Sequence, residues 1–294
     1  MKKVIIGSRG SDLALWQANH VKNQLEALGL TVEIKVVKTQ GDVIQHLSFD
    51  KMEGKGFFTK EIEAALLEKS IDIAVHSHKD LETRNPEGLG IAAVSEREDP
   101  AELLLIRKES VDKSKKLSLK ANPIVGTSSA RRKSQLITFR DDIELKDLRG
   151  NVPTRINKLR EGNYDAILLA KAGVSRLNIN LDDLEVVSLD PTEFIPAPAQ
   201  GALGIQIRQE DKELASVLSN INDIKTQKRI NLEREVLRLL DGGCQLPLGV
   251  YCPNDSDVYV SFAHKWEKGA IFKRYNIDNP RTIASNIVAE LNNI

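Results

Sequence analysis

Cysteine, long apolar runs and an excess of charge of either sign are all scarce in this 294-residue chain. No apolar stretch approaches the roughly 20 residues of a transmembrane helix, and the apolar run after Lys3 is too short for a signal peptide. Basic and acidic residues each number 42, so no global field attracts nucleic acid or a membrane surface. Cys244 and Cys252 are too few for a disulfide framework or a four-cysteine zinc site. The composition predicts a soluble, cytoplasmic protein with neither nucleic-acid nor membrane partners.

The chain does contain a repeated pattern of strand, polar loop and helix. Val4 to Ile6 has the apolar character of a buried strand, residues 7–11 form a loop, and apolar residues at helical spacing continue to Leu28. Residues 124–129 repeat the strand and the loop, and they lead into another helix. Such units build an α/β fold, which binds ligands at the carboxyl ends of its strands.

The length and these patterns predict three structural units. A charged, proline-ended break at residues 96–100 and a proline-containing segment at 194–201 indicate two crossings between α/β units, as in two-domain periplasmic binding proteins. We therefore predict one α/β domain from residues 1–97 with 200–220, a second from 98–199, and a cleft between them. Residues 221–294 are predicted to form a small α+β domain.

Arginines and hydroxyl residues gather where the predicted strands end and helices begin. They are Arg9, Ser11, Ser129, Arg131, Arg132, Arg149, Arg155 and Arg176. Helix N-termini attract anions, and a guanidinium pairs bidentately with a carboxylate. Together they suit a ligand with many carboxylates, although each arginine alone fits a solvated face equally well. Ser11 also suits a helix N-cap.

A second candidate site follows the apolar strand that begins at Ile71. His76, His78, Lys79 and Asp80 lie at its carboxyl end, where an α/β sheet places its chemistry. The two histidines alternate along an extended segment, but a third ligand is not evident, so no metal site is predicted.

Two glycine-rich loops complete the candidate regions. Lys55 lies in a polar segment, residues 39–56, which is either a functional cover or a solvated loop. Cys244 follows a helix predicted over 227–240, and Gly242 and Gly243 are expected to end that helix in the left-handed conformation. The thiol is then either approachable on a bare loop or a small buried side chain.

The sequence Gly-Gly-Cys-Gln-Leu-Pro-Leu-Gly around Cys244 resembles the cofactor-attachment loop of the hydroxymethylbilane synthase (porphobilinogen deaminase) family. Further matching segments are residues 9–17, 55–61, 76–80, 126–132, 148–155 and 198–204. The chain departs from the family at His78, where methionine is common, and at Leu81-Glu82, where Val-Pro is common. These departures affect local packing and leave Lys79 and Asp80 in place.

The resemblance implies a monomeric transferase that joins four porphobilinogen molecules head to tail on a dipyrromethane cofactor. In that family the cofactor is bound covalently through the cysteine that matches Cys244. The catalytic aspartate matches Asp80, which accepts hydrogen bonds from pyrrole N–H groups and stabilises an azafulvenium cation. Other implied cofactor ligands are Lys79, Ser129, Arg131, Arg132 and Gln200. The implied substrate ligands are Arg9, Ser11, Lys55, Arg149, Arg155 and Arg176.

Two other classes of function remain compatible with the residues. One is a two-lobed polycarboxylate-binding module in which Cys244 is inert. The other is a cysteine hydrolase or acyltransferase, which lacks a base because neither His76 nor His78 is marked as the partner of Cys244.

Overall fold

The computed structural model describes residues 3–39, 59–243 and 245–293. The strands are β1 (Lys3–Ser8), β2 (Thr31–Val36), β3 (Ile73–Ser77), β4 (Leu89–Val94), β5 (Glu102–Arg107), β6 (Ile124–Gly126), β7 (Glu144–Lys146), β8 (Ala166–Ala170), β9 (Leu184–Leu189), β10 (Leu203–Arg208), β11 (Leu248–Tyr251), β12 (Asp257–Phe262) and β13 (Ile271–Asn276). The α-helices are α1 (Asp12–Ala27), α2 (Lys60–Leu67), α3 (Ala130–Phe139), α4 (Val152–Arg160), α5 (Lys171–Leu177), α6 (Lys212–Leu218), α7 (Ile224–Leu239) and α8 (Ile283–Leu291). A 3₁₀ helix, His78–Asp80, directly follows β3.

Two five-stranded sheets share one arrangement. The first has the order β2-β1-β3-β10-β4, and the second has the order β7-β6-β8-β5-β9. In each sheet the fourth strand is antiparallel to both of its neighbours. Those strands, β10 and β5, are the first to follow a crossing of the chain from one sheet to the other. The predicted α/β class is confirmed, and the chain passes between the two sheets twice, after β4 and after β9.

The carboxyl-terminal region forms a smaller antiparallel sheet of order β11-β12-β13. Helices α7 and α8 cover it, and Val236, Val260 and Ile287 are buried in the shared core. The predicted small α+β unit is confirmed. Among the described residues, no helix is both long enough and apolar enough to span a membrane.

Helix α1 shows why the first polar loop is held in place. Its Ala18, Val21 and Leu25 are fully buried against the first sheet, as the helical spacing predicts. The Ser11 hydroxyl accepts a hydrogen bond from the backbone N–H of Ala14 at 3.4 Å, so Ser11 is the N-cap. The loop between β1 and α1 is therefore fixed at both ends.

An ion pair joins the crossing segments to the third unit. Both terminal nitrogens of Arg97 donate to the fully buried Glu233 of α7, at 2.6 and 3.0 Å, and its Nε donates to the Gln200 carbonyl. Glu233 also accepts from the backbone N–H groups of Ala199 and Cys252. Gly201 has φ +94, and a Cβ there would lie 2.2 Å from the Glu98 carbonyl oxygen, so only glycine lets the two crossings approach.

Two local predictions are wrong. At the end of α7 the left-handed residue is Asp241, with φ 49, and Gly242 is needed instead for space, because a Cβ there would lie 2.6 Å from the Leu246 side chain. His76 and His78 do not alternate along one extended segment, because the strand ends at Ser77 and His78 begins the 3₁₀ helix. The chain turns at His78 because Leu81 N–H donates back to the His78 carbonyl, which closes one 3₁₀ turn.

Candidate functional site

The 3₁₀ helix after β3 is buried at its start and exposes the side chain of Asp80 at its end. His76 and His78 are buried, Lys79 is half-buried and Asp80 is exposed. The His76 ring bonds to Gln206 at 3.1 Å, and Gln17 donates to the Ser77 hydroxyl at 2.8 Å. The neighbours therefore hold the turn while the carboxylate remains accessible.

His78 is buried in a neutral state. Burial, and then the charge of Arg234, lower the pKa of His78 to about 3. The family that the sequence resembles commonly has methionine at this position, which is also uncharged. A neutral histidine can therefore occupy the same buried position without disturbing the turn. In the described part of the chain, no cluster of three or more histidine, cysteine or acidic residues could hold a metal ion.

Lys79 connects this turn to the crossing segments. Its Nζ donates to Gln200 Oε1 at 3.1 Å, and the fully buried Gln200 donates to the Pro100 carbonyl at 2.8 Å. Burial lowers the pKa of Lys79, the Asp80 carboxylate raises it, and the charge of Arg132 lowers it further. The turn of the first sheet therefore lies within electrostatic reach of α3 in the second.

Arg131 and Arg132 are buried at the start of α3 and share one carboxylate. The Nη2 atoms of Arg131 and Arg132 donate to the two oxygens of Glu102, each at 2.6 Å. Their Nη1 atoms donate to the carbonyls of Ile195 and Leu168, at 2.8 and 3.1 Å. These arginines are thus not solvated surface charges, and an internal anion fixes their orientation.

Glu102 is an important residue that the sequence analysis missed. It is fully buried at the start of β5. Burial raises the pKa of Glu102, but Arg132 and then Arg131 outweigh burial and bring it to about 2. In the sequence, Glu102 is a single carboxylate directly before the apolar run Leu103 to Ile106. A charged residue in that position is usually expected at the exposed end of a strand.

Arg149 and Arg155 add further positive charge near the same place. Burial lowers the pKa of Arg155 to about 10, Arg132 and Arg149 lower it too, and Asp80 opposes them. Arg155 Nε donates to the Gly150 carbonyl at 2.7 Å, which fixes the stem of its side chain. Asp80 therefore lies within electrostatic reach of Lys79 and of Arg155.

The remaining predicted residues are more dispersed. Arg176 on α5 donates to the Gly201 carbonyl at 2.7 Å, and its guanidinium lies 5.4 Å from the centre of the Trp16 ring. Arg9 is close enough to contribute to the lowered pKa of His76, after burial. Ser129 occupies the N-cap position of α3 and its side chain makes no cap hydrogen bond.

Two predicted residues, Lys55 and Cys244, lie outside the described residues. The described neighbours of Cys244, Gly243 and Gln245, are both exposed. Cys252 is 1% exposed, and burial followed by the charge of Glu233 raises the pKa of its thiol. Cys252 is therefore a thiol packed into the core of the carboxyl-terminal unit.

The arrangement is suited to a polyanionic ligand that carries or develops positive charge at one point. Buried and half-buried cations supply donors for carboxylates, while Asp80 supplies one exposed negative charge. Arg132 Nε is buried and has no hydrogen-bond partner among the described residues, which leaves a donor for a ligand oxygen.

Comparison with known proteins identifies similar sequences. Residues 4–216 match the family model described as porphobilinogen deaminase, dipyromethane cofactor binding domain. The porphobilinogen deaminase of Maridesulfovibrio salexigens is 45% identical over 259 residues, which cover 87% of this chain and 82% of the relative. That of Bacillus anthracis is 46% identical over 255 residues, covering 85% of this chain and 80% of the relative.

Among solved structures, the periplasmic VFT2 domain of Bordetella pertussis BvgS is similar with a TM-score of 0.43 and 16% identity, over 74% of this chain and 85% of that one. The substrate binding protein of an amino acid ABC transporter gives a TM-score of 0.38 and 13% identity, over 82% of this chain and 95% of that one.

Proposed function

Since the chain belongs to the porphobilinogen deaminase family, we propose that the turn carrying Lys79 and Asp80 is its catalytic centre. The enzyme is a transferase, also called hydroxymethylbilane synthase. It condenses four porphobilinogen molecules head to tail with release of ammonia, then hydrolyses the chain as hydroxymethylbilane. The observation that supports the site assignment is the exposed carboxylate of Asp80 within electrostatic reach of Lys79 and Arg155.

Asp80 acts as the electrostatic partner of the reacting pyrrole. Loss of ammonia from porphobilinogen gives an azafulvenium, whose positive charge is shared with the pyrrole nitrogen. A fixed carboxylate stabilises such developing charge without reorganisation. Lys79 holds the turn against Gln200 and balances the charge of Asp80 before substrate binds.

The arginines hold the acetate and propionate groups of the rings. Arg131, Arg132, Lys79, Ser129 and Gln200 would bind the dipyrromethane, which supplies the pyrrole to which the first substrate is joined. The buried donor at Arg132 Nε fits a carboxylate of that group. Arg9, Ser11, Lys55, Arg149, Arg155 and Arg176 would bind the incoming and growing pyrroles.

The covalent attachment of the dipyrromethane is assigned to Cys244. The described neighbours Gly243 and Gln245 are exposed, which supports an accessible loop. Cys252 is a poor alternative because its thiol is buried and its pKa is raised.

The three sheets support the three-domain division proposed from the sequence, residues 1–97 with 200–220, 98–199 and 221–294. We further propose that the enzyme is a cytoplasmic monomer. Its basic and acidic residues balance, so no global field attracts a nucleic-acid partner.

Incubation with porphobilinogen distinguishes this function from a polycarboxylate-binding module. We expect one ammonia per porphobilinogen consumed and hydroxymethylbilane as the released product, measured by ammonia assay and by chromatography after oxidation to porphyrin. Binding of porphobilinogen without ammonia release would instead support the binding module.

A further inference from the structure

Arg234 contacts the catalytic turn from a different structural unit. It lies half-buried on α7, which belongs to the third unit, whereas the turn follows β3 of the first sheet. Its Nη1 donates to the carbonyls of His78 and Leu81 at 3.0 and 3.3 Å. Its Nη2 donates to the carbonyls of Leu81 and Glu82 at 3.3 and 2.5 Å.

The turn has little internal support of its own. The carbonyls of Leu81 and Glu82 lie beyond the 3₁₀ helix, and that helix closes with one long bond, from Leu81 N–H to the His78 carbonyl at 3.3 Å. A guanidinium can donate to several carbonyls at once because its N–H groups form a rigid planar fork. Arg234 therefore fixes the end of the turn that follows Asp80, while the carbonyl of Ala202, the residue before β10, accepts from His78 N–H at the beginning.

The same helix leads toward the proposed cofactor cysteine. Helix α7 ends at Leu239, about 7.5 Å beyond Arg234 along the axis, and the loop that contains Cys244 follows. The contacts of Arg234 thus link the backbone beside Asp80 to the unit that carries Cys244.

We propose that Arg234 is a positioning residue, which sets the place of the Asp80 carboxylate relative to the third unit and thereby the rate of condensation. This inference rests on the proposed role of Asp80. A displacement of about 1 Å at a reacting centre can cost on the order of a hundredfold in rate. A contact that served stability alone would change the melting temperature and leave the rate per folded, cofactor-loaded molecule unchanged.

The test compares Arg234→Met and Arg234→Lys with the matched control Arg238→Met. Arg238 lies one turn further along α7 and pairs with Glu235 at 2.7 Å. Intact mass gives cofactor loading, and steady-state kinetics of the loaded enzyme give kcat and KM. We expect kcat to fall about 10- to 100-fold in Arg234→Met, with KM changed less than about threefold. Arg234→Lys should lose nearly as much, because an ammonium is a point charge that does not reproduce the planar fork, and Arg238→Met should match wild type.

A double-mutant cycle identifies the path of the effect. In an Asp80→Asn background, Arg234→Met should lower kcat by less than about threefold, since its effect passes through Asp80. Wild-type kcat in loaded Arg234→Met would overturn the inference. If that variant fails to fold, wild-type kcat in Arg234→Lys would overturn it equally. A wild-type chain without the dipyrromethane mass would overturn the proposed function instead, whatever the Arg234 variants do.

Discussion

Replacing Asp80 with asparagine should lower turnover by on the order of a hundredfold or more, because in the proposed mechanism the substitution removes the charge that stabilises the developing cation. The side chain is exposed, so the protein should fold normally. Asparagine keeps the shape of aspartate, and the dipyrromethane should remain bound. Single-turnover kinetics on loaded enzyme measure the effect on chemistry directly.

Asp80→Glu is the informative companion variant. It keeps the charge but moves it by about one methylene, which can cost on the order of a hundredfold where placement matters. We expect this variant to load its cofactor, turn over slowly and accumulate enzyme-bound chains of intermediate length, visible by mass. Near-normal turnover in Asp80→Asn would remove Asp80 from the mechanism.

Replacing Glu102 with glutamine should both destabilise the protein and reduce its cofactor content. The change leaves Arg131 and Arg132 buried without their carboxylate, and breaking a buried ion pair typically costs about 3–5 kcal/mol. The two guanidiniums would also lose the anion that orients them, so the fraction of chains carrying dipyrromethane should fall severalfold. Thermal unfolding and intact mass measure the two effects separately.

Asp165→Asn is the matched control for that prediction. Asp165 is a buried carboxylate of the same sheet, held at the opposite end of β8 by Ser110 Oγ, the Ile124 N–H and Lys120. Its loss should lower the melting temperature and leave cofactor loading unchanged. Wild-type loading in Glu102→Gln would show that Glu102 has no role beyond stability.

The pH dependence of stability follows from the same carboxylate. The pKa of Glu102 falls from 4.5 to about 2 on folding, and a difference of this size corresponds to about 3 kcal/mol. Because the folded pKa is depressed, this contribution is fully present above about pH 4.5 and is lost as the pH falls toward 2. Glu102→Gln should therefore be less sensitive to acid over that range than wild type.

The sequence predicts the repeated architecture well because the relevant signals are local. Apolar spacing predicts α1, and the proline-containing segment near Pro196 and Pro198 marks the second crossing. The short strands β7 and β11 were not predicted, because three or four residues are too few to show the alternation of apolar and polar side chains that indicates a strand.

The sequence does not predict which groups the individual charged side chains bind. The positions of Arg131 and Arg132 at a helix start suggest ligand-binding arginines, but nothing local reveals that Glu102 of another strand already binds both. From the sequence alone, Arg234 is expected to be a solvated residue of a polar helix. Its contact with the turn after β3 becomes evident only in the folded structure. Long-range packing decides such pairings, and one sequence does not encode them as a pattern.

The intact mass of three purified chains tests the central claim most directly. If Cys244 carries the dipyrromethane, wild type and Cys252→Ser should each show the mass of two linked pyrrole units in addition to the polypeptide, and Cys244→Ser should show the bare polypeptide. An adduct of that mass on Cys244→Ser, or its absence from wild type, would contradict the account.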